Sequence, residues 1–248
     1  MRSYKIGVVS YLNSRPFVHG LQQSDIATQH QLIVESPSNI AGMLLRCEID
    51  LGLVPVFIVH QMPEHHVVTD YCIGSEDKVG SVCLFSDTPL EECDTVVLDG
   101  ESRTSVALTK VLLKRHFKLS PRFVPSYTGY ENELTNGKAG LVIGDRALML
   151  QGRYKHVYDL GTAWKKFTRL PFVYAAWISN KKLDDDFVQQ FNAACANGVA
   201  QREALADGLV KYYQGVDVKG YFTDCISYEL DERKREGLKL FLEYSKEV

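Results

Sequence analysis

Two apolar runs, Val67–Ile73 and Val79–Phe85, stand only a short polar turn apart, at Gly74–Lys78. Elsewhere in the first two thirds of the chain, short β-branched runs alternate with helical patterns, the signature of open, largely parallel sheets covered by helices. Strand-like runs lie at Lys5–Val9, Leu32–Glu35 and Ile49–Val54, with helical patterns near Phe17–Gln23 and after Pro37. In the second helix Ile40, Met43, Leu44 and Cys47 fall at i, i+3, i+4 and i+7, with Ser38 as the expected N-cap. Past the break the rhythm restarts, with strands at Thr95–Leu98, Arg122–Val124 and Ala139–Ile143 and helices at Ser105–Phe117 and Gly129–Asn136. A strand that follows a strand without a helix between them therefore marks a crossing from one lobe to another. The β-rich stretch Pro171–Ser179 would carry the chain back.

The remainder is expected to be helical. Asp184 caps one helix with Phe187, Val188, Phe191 and Cys195 on its buried face, and a last helix from near Asp231 buries Leu238, Phe241 and Leu242. The expected architecture is α/β with two lobes and two crossover strands. Residues 1–80 and 176–248 form a discontinuous first lobe and 81–175 the second. Such a topology makes a hinged cleft between the lobes, with ligands at the strand ends that face it.

Composition narrows the partners. The chain has 248 residues, enough for two cores, and a net charge of −3, which offers no basic field to a phosphate backbone, so no nucleic-acid partner is expected. No apolar run reaches membrane-spanning length, and the opening residues lead into the Lys5–Val9 strand without an apolar signal segment, so the expectation is a cytoplasmic protein with no membrane partner. Cys47, Cys72, Cys83, Cys93, Cys195 and Cys225 are scattered without a CxxC pair, which argues against a disulfide framework or a zinc knuckle. His65 and His66 are adjacent and would point apart, a poor metal pair. Neither GxGxxG after a strand nor GxxxxGK[ST] occurs, so no nucleotide cofactor is expected. Nothing in the residues fixes an oligomeric state, and a homodimer stays open.

Two loops after strands carry unusual polar density. Ser10, Tyr11, Asn13, Ser14 and Arg15 follow the first strand, where an open α/β sheet faces its ligand. The plainer reading is a turn, with Asn13 and Ser14 serving the backbone. Ser102, Arg103, Thr104 and Ser105 stand between a strand and a helix, where free N–H groups and hydroxyls make a seat for a carboxylate. There the plainer reading is N-capping by Ser102 or Thr104. Ser81 opens a crossing strand and points into the cleft or into a hinge. Asp145 follows another strand, as a helix cap, an arginine partner or a ligand contact. Trp164, Phe172, Tyr174 and Trp177 offer an apolar wall for a ring, or core packing.

Taken in order, these segments resemble a known family. Ser10-Tyr11-Leu12-Asn13-Ser14-Arg15-Pro16, Glu48 through Pro55, Gly80 through Ser86, Leu98-Asp99 with Ser102 through Ser105, Ile143-Gly144-Asp145, Asp159-Leu160-Gly161 with Trp164, and Leu170 through Ala175 together look like the chorismate dehydratases of the futalosine route to menaquinone. The resemblance implies a type II periplasmic-binding-protein-like fold used as an enzyme. It implies a lyase that removes water from chorismate to give 3-[(1-carboxyvinyl)oxy]benzoate without metal or cofactor. It also implies Asn13 and Ser81 as the catalytic positions and Thr104 with Ser105 as the seat of a carboxylate. Apart from Glu48, no histidine or glutamate stands in the matched motifs, so the substrate's own enolpyruvyl carboxylate is the expected base, with Asp145 or a histidine brought in by folding as alternatives. Two other functions share the pattern in part. A transporter's solute-binding protein shares the cleft, and the sister 1,4-dihydroxy-6-naphthoate synthase shares the fold but carries a Cys-Pro-Asn-Asp type first loop that this chain lacks.

Overall fold

The structure is a computed structural model, and it describes residues 3–248. The chain begins with β1 (Lys5–Val9), α1 (Arg15–Gln22), α2 (Ile26–Gln29), β2 (Gln31–Glu35), α3 (Pro37–Leu45), β3 (Leu51–Pro55) and β4 (His66–Ser75). It continues through β5 (Val82–Ser86), β6 (Thr95–Leu98), α4 (Arg103–Leu112), β7 (Arg122–Pro125), β8 (Lys138–Ile143), α5 (Gly144–Met149), β9 (His156–Asp159) and α6 (Leu160–Thr168). It closes with β10 (Phe172–Ser179), α7 (Asp185–Ala200), α8 (Arg202–Leu209), α9 (Val218–Gly220), β11 (Ser227–Glu229) and α10 (Glu232–Tyr244).

These strands make two sheets, a larger one in the order β11-β4-β10-β3-β1-β2 and a smaller one in the order β7-β6-β8-β5-β9. The chain passes between them after β4 and again before β10. Both sheets are mixed, where the residue pattern suggests largely parallel ones. In the larger sheet β1 is parallel to β2 and β3, while β10 runs antiparallel between β3 and β4. In the smaller sheet β6 is parallel to β7 and β8, while β5 is antiparallel to β8 and β9. The antiparallel strands β5 and β10 are the two that follow a crossing. Each enters its sheet at the edge where its neighbours end, so it runs back against them.

Period-two alternation places the core. Leu84 on β5, Val96 on β6 and Leu141 on β8 face the main core, which is continuous with Ile6, Val8, Leu53 and Trp177 of the larger sheet. Their neighbours Cys83, Phe85, Val97 and Val142 face a second cluster with Tyr130 and Leu134. The strands β5, β6 and β8 of the smaller sheet are thus buried on both faces, which suits their near-unbroken apolar runs, while the edge strands β7 and β9 are partly exposed.

Several boundaries move for local reasons. Ser36, rather than Ser38, caps α3, its hydroxyl accepting from the Asn39 N–H at 3.3 Å. Pro37 is the cause, because proline fits the first helical position and makes the residue before it the cap. Residues 129–136 hold only a 3₁₀ turn, Tyr130–Asn132. The helix expected from Ser105 starts at Arg103 and ends in a π-turn, Leu113–Phe117, closed by Lys118 at φ 59°. Asp184 flanks α7 as expected, but its carboxylate accepts from the Tyr4 hydroxyl at 2.6 Å instead of capping the helix. Among the described residues no helix is long and apolar enough to cross a membrane.

Candidate active site

A cavity lies where the ends of β1, β3, β4 and β8 meet the starts of β5 and β10, with about 570 Å³ of empty space, its mouth included. Val9, Leu53, Ile73, Val79, Val82 and Ile143 give it apolar walls. Its polar lining is Tyr11, Asn13, Ser81, Ser102, Ser105 and Tyr174, so no ionisable carboxylate, histidine, lysine or arginine stands on the wall. An anion held here is held by neutral donors.

Asn13 comes from the 3₁₀ turn Leu12–Ser14 directly after β1. That turn sends Asn13 toward the cavity, while its main-chain carbonyl accepts from the Tyr228 hydroxyl at 3.1 Å. Ser81, 1% exposed, receives a hydrogen bond from the Tyr221 hydroxyl at 2.7 Å. Because Tyr221 donates, the Ser81 hydroxyl keeps its own hydrogen for another acceptor. Burial pushes the Tyr221 phenol far above its ordinary pKa, so it stays a donor, and the Asn13 side chain lies within hydrogen-bonding reach of the same oxygen. The crossing segment that carries Ser81 is clamped by Asp159, whose carboxylate accepts from the N–H groups of Val79 (3.1 Å), Gly80 (2.7 Å) and Thr162 (3.0 Å). Burial raises the Asp159 pKa, against the N–H groups of Thr162, Gly80 and Val79, which favour the charge.

The start of α4 supplies the second polar group. Ser102 caps the helix by accepting from the Ser105 N–H at 3.2 Å, and the two hydroxyls lie 2.9 Å apart on the cavity wall. Tyr11 closes this side, its hydroxyl donating to Glu101 and its ring packed on Gly144. Gly144 has φ +63°, and a Cβ there would stand 3.3 Å from the Tyr11 ring. Behind it Asp99, 1% exposed, accepts from Arg146 at 2.6 Å and from Tyr130 at 3.0 Å.

Of the residues singled out from the sequence, Tyr11, Asn13, Ser81, Ser102, Ser105 and Tyr174 share this cavity. Ser10 is exposed. Ser14 is fully buried, and its hydroxyl donates to the carbonyl oxygens of Val9 and Tyr11. Thr104, also fully buried, accepts from the Phe57 N–H at 3.1 Å and so ties α4 to the turn after β3. Arg103 donates to Gln61 at 2.9 Å on the outer surface. Asp145 accepts from the Leu12 N–H and from the Tyr213 hydroxyl, each at 3.0 Å. Trp164, Phe172 and Trp177 are core residues at 0–1% exposure, and of the four aromatics only Tyr174 reaches the cavity. The residue pattern assigns no role to Tyr221 or Asp159. Asp159 has a local signal, an acidic residue directly before a helix; Tyr221 arrives from a distant π-turn and has none.

Comparison with known proteins follows the same lines. Residues 4–247 match the sequence profile of the family described as menaquinone biosynthesis. A chorismate dehydratase of Thermus thermophilus is 30% identical to the chain over 98% of its length and 95% of that protein's. Solved structures resemble it more distantly in sequence and share its fold. A protein of Archaeoglobus fulgidus superposes with a TM-score of 0.76 at 13% identity, covering 99% of this chain and 97% of that one. The alkanesulfonate-binding protein SsuA of Xanthomonas axonopodis pv. citri gives 0.67 at 13% identity over 98% and 93%. A Candida albicans gene product with the generic periplasmic-binding-protein fold gives 0.63 at 12% identity over 100% and 91%. The fold is therefore that of the periplasmic binding proteins, and the chain belongs to the menaquinone-biosynthesis family.

Proposed function

We propose that this protein dehydrates chorismate to 3-[(1-carboxyvinyl)oxy]benzoate, in the cytoplasm and on the futalosine route to menaquinone, with Asn13 and Ser81 as its catalytic residues. The observation that carries the reading is the near full-length likeness to a chorismate dehydratase. The chemistry of the cavity supports it. Loss of the C3 proton sends electrons into the ring carboxylate, making an enediolate. Their return forms the C3–C4 double bond, expels the C4 hydroxyl and leaves an aromatic ring. The proton taken from C3 and the departing hydroxide together make the water released.

Two tasks then fall to the protein. The enediolate needs neutral donors, which Ser102, Ser105 and the free N–H groups of the first turn of α4 supply; one well-aimed donor is worth about 2.7–4 kcal/mol. The proton needs an acceptor, and the wall carries none of its own. The substrate's enolpyruvyl carboxylate takes it, held against C3 by Asn13 and Ser81. A low-dielectric cavity with apolar walls strengthens both effects. Incubation with chorismate followed by mass analysis tests the reading: a product lighter by one water is expected. A solute-binding protein would hold chorismate unchanged and the sister synthase would leave it untouched, and either result overturns the proposal.

A further inference from the structure

We propose that Tyr221 is a positioning residue for the reaction: from behind the cavity wall its hydroxyl donates to the Ser81 hydroxyl and so turns the hydrogen of Ser81 toward the substrate. This rests on the proposed dehydratase function, in which Ser81 helps to hold the enolpyruvyl carboxylate. Ser81 lines the cavity and Tyr221 does not. The backbone at Ser81 is fixed from both sides. The N–H of Gly80 before it donates to Asp159 at 2.7 Å, and the Ser81 carbonyl oxygen accepts from the Gly144 N–H at 2.8 Å. What stays free is rotation about the Cα–Cβ bond, with three staggered settings for the hydroxyl. Tyr221 selects among them from 2.7 Å, and among the described residues it is the one hydrogen-bond partner of the Ser81 hydroxyl.

The sense of that bond matters as much as its length. A serine hydroxyl has one hydrogen and two acceptor lone pairs. If Ser81 gave its hydrogen to Tyr221, none would remain for a carboxylate. The surroundings of the phenol set the sense. Tyr221 is 3% exposed, so its hydrogen needs an acceptor inside the protein, and the Ser81 oxygen is the one it has. The Asn13 side chain lies within hydrogen-bonding reach of the same phenol oxygen, where its amide N–H can serve a lone pair while the phenol hydrogen goes to Ser81. Tyr221 is itself anchored. Its N–H donates to the Asp217 carbonyl oxygen at 2.9 Å, its carbonyl oxygen accepts from the Ile226 N–H at 3.0 Å, and its ring belongs to the main core. A side chain so held can aim another. The aim counts because the carboxylate must sit against C3 to take the proton, and an error of about 1 Å can cost on the order of 10²-fold in rate.

Tyr221→Phe keeps the ring and removes the hydroxyl. The expected result is a kcat on chorismate lowered about 10–100-fold, with calorimetric affinity for 3-[(1-carboxyvinyl)oxy]benzoate changed only a few-fold. Action through Ser81 makes a second demand. In a Ser81→Ala background, adding Tyr221→Phe should lower kcat by no more than about 3-fold further. That comparison stands even if the single variant folds poorly, because the double variant has lost both partners of the buried bond. An unchanged kcat in Tyr221→Phe overturns the assignment, whatever its melting temperature does. So do losses that multiply in the double variant, which would mean that the phenol supports the fold without acting through Ser81. A fall in product affinity as large as the fall in kcat would make the hydroxyl a ligand contact, and overturns it too. Wild-type turnover of chorismate, assayed alongside, keeps the two proposals apart: an active wild type with an unaffected Tyr221→Phe variant fails this one alone, and an inactive wild type overturns both.

Discussion

At Asn13 the backbone and the side chain have separate tasks. The carbonyl oxygen accepts from Tyr228, and the side chain faces the cavity beside Tyr221. Asn13→Ala keeps the first interaction and loses the second. The expected result is a kcat lowered on the order of 10²-fold, with product affinity changed only a few-fold and the melting temperature nearly constant. Calorimetric affinity, melting temperature and kcat on one preparation check this; turnover near the wild-type rate would remove Asn13 from the mechanism. A different residue sets part of the pH response of the fold. The His30 Nδ1 accepts from the Tyr4 N–H at 3.1 Å, and burial lowers its pKa from 6.5. Below 6.5 the unfolded chain takes up a proton that the folded one refuses, so stability is full above that value and falls as the pH drops from it toward the folded pKa. His30→Gln keeps an acceptor and cannot titrate. Its melting temperature is expected to fall less steeply than the wild type's between about pH 6.5 and 5, leaving the slope owed to His60 and His116, which burial lowers in the same direction. Parallel curves for the two proteins would clear His30.

Among the elements, α3 offers the cleanest test of a local rule. Ser36 holds the cap and Ser38 lies inside the first turn. Ser36→Ala is expected to cost about 1 kcal/mol in denaturant unfolding and Ser38→Ala a few tenths, although the two hydroxyls touch at 3.2 Å. Equal losses would mean that the pair acts as one. The same contrast, between a residue type and its exact place, separates what the residue pattern shows from what it hides. The expected ranges for β1 and β6 match the observed ones, because a buried β-branched run between polar residues has few other fates. The segment 156–168 gives no clear pattern, because β9 is short and half-buried, and the second residue of α6, Gly161, is a glycine needed for close approach. Hydroxyl density marks the right loops but not which hydroxyls face the cavity. One 3₁₀ turn points Asn13 inward and folds the Ser14 hydroxyl onto the backbone, and one helical turn puts Ser102 and Ser105 on the wall but Thr104 on Phe57. Tyr221 reaches Ser81 only when the whole chain has folded, so no local pattern announces it.

Across the whole molecule the two sheets are joined in different ways on different sides. Away from the cavity the contact is mostly aromatic packing, with one ionic group: α10 carries Phe241 against Trp164 and Phe172, and Tyr244 against the Arg115 guanidinium, which also pairs with Glu247 at 2.5 Å. Around the cavity it rests on hydrogen bonds, Leu12 and Tyr213 to Asp145, Tyr11 to Glu101, and Phe57 to Thr104. A ligand entering between the sheets must break the polar side, while the packed side and the crossing segments after β4 and before β10 can act as the hinge. Asp145 is the natural point of attack, since one carboxylate there holds the first loop and the C-terminal segment together. Asp145→Ala removes two charge-assisted bonds at once, and each is worth about 1.5–3 kcal/mol to the closed form. The ligand-free variant is therefore expected to scatter X-rays as a larger particle than the wild type. Saturating 3-[(1-carboxyvinyl)oxy]benzoate should bring both to the same compact curve. Its apparent affinity should fall about 10-fold or more, because part of the binding free energy is spent on closure. Thr104→Val, which breaks a bond of the same ring near the hinge-side turn, should open the molecule less. If wild type and Asp145→Ala give one scattering curve with and without ligand, the two sheets do not move against each other, and Asp145 serves only to shape the first loop.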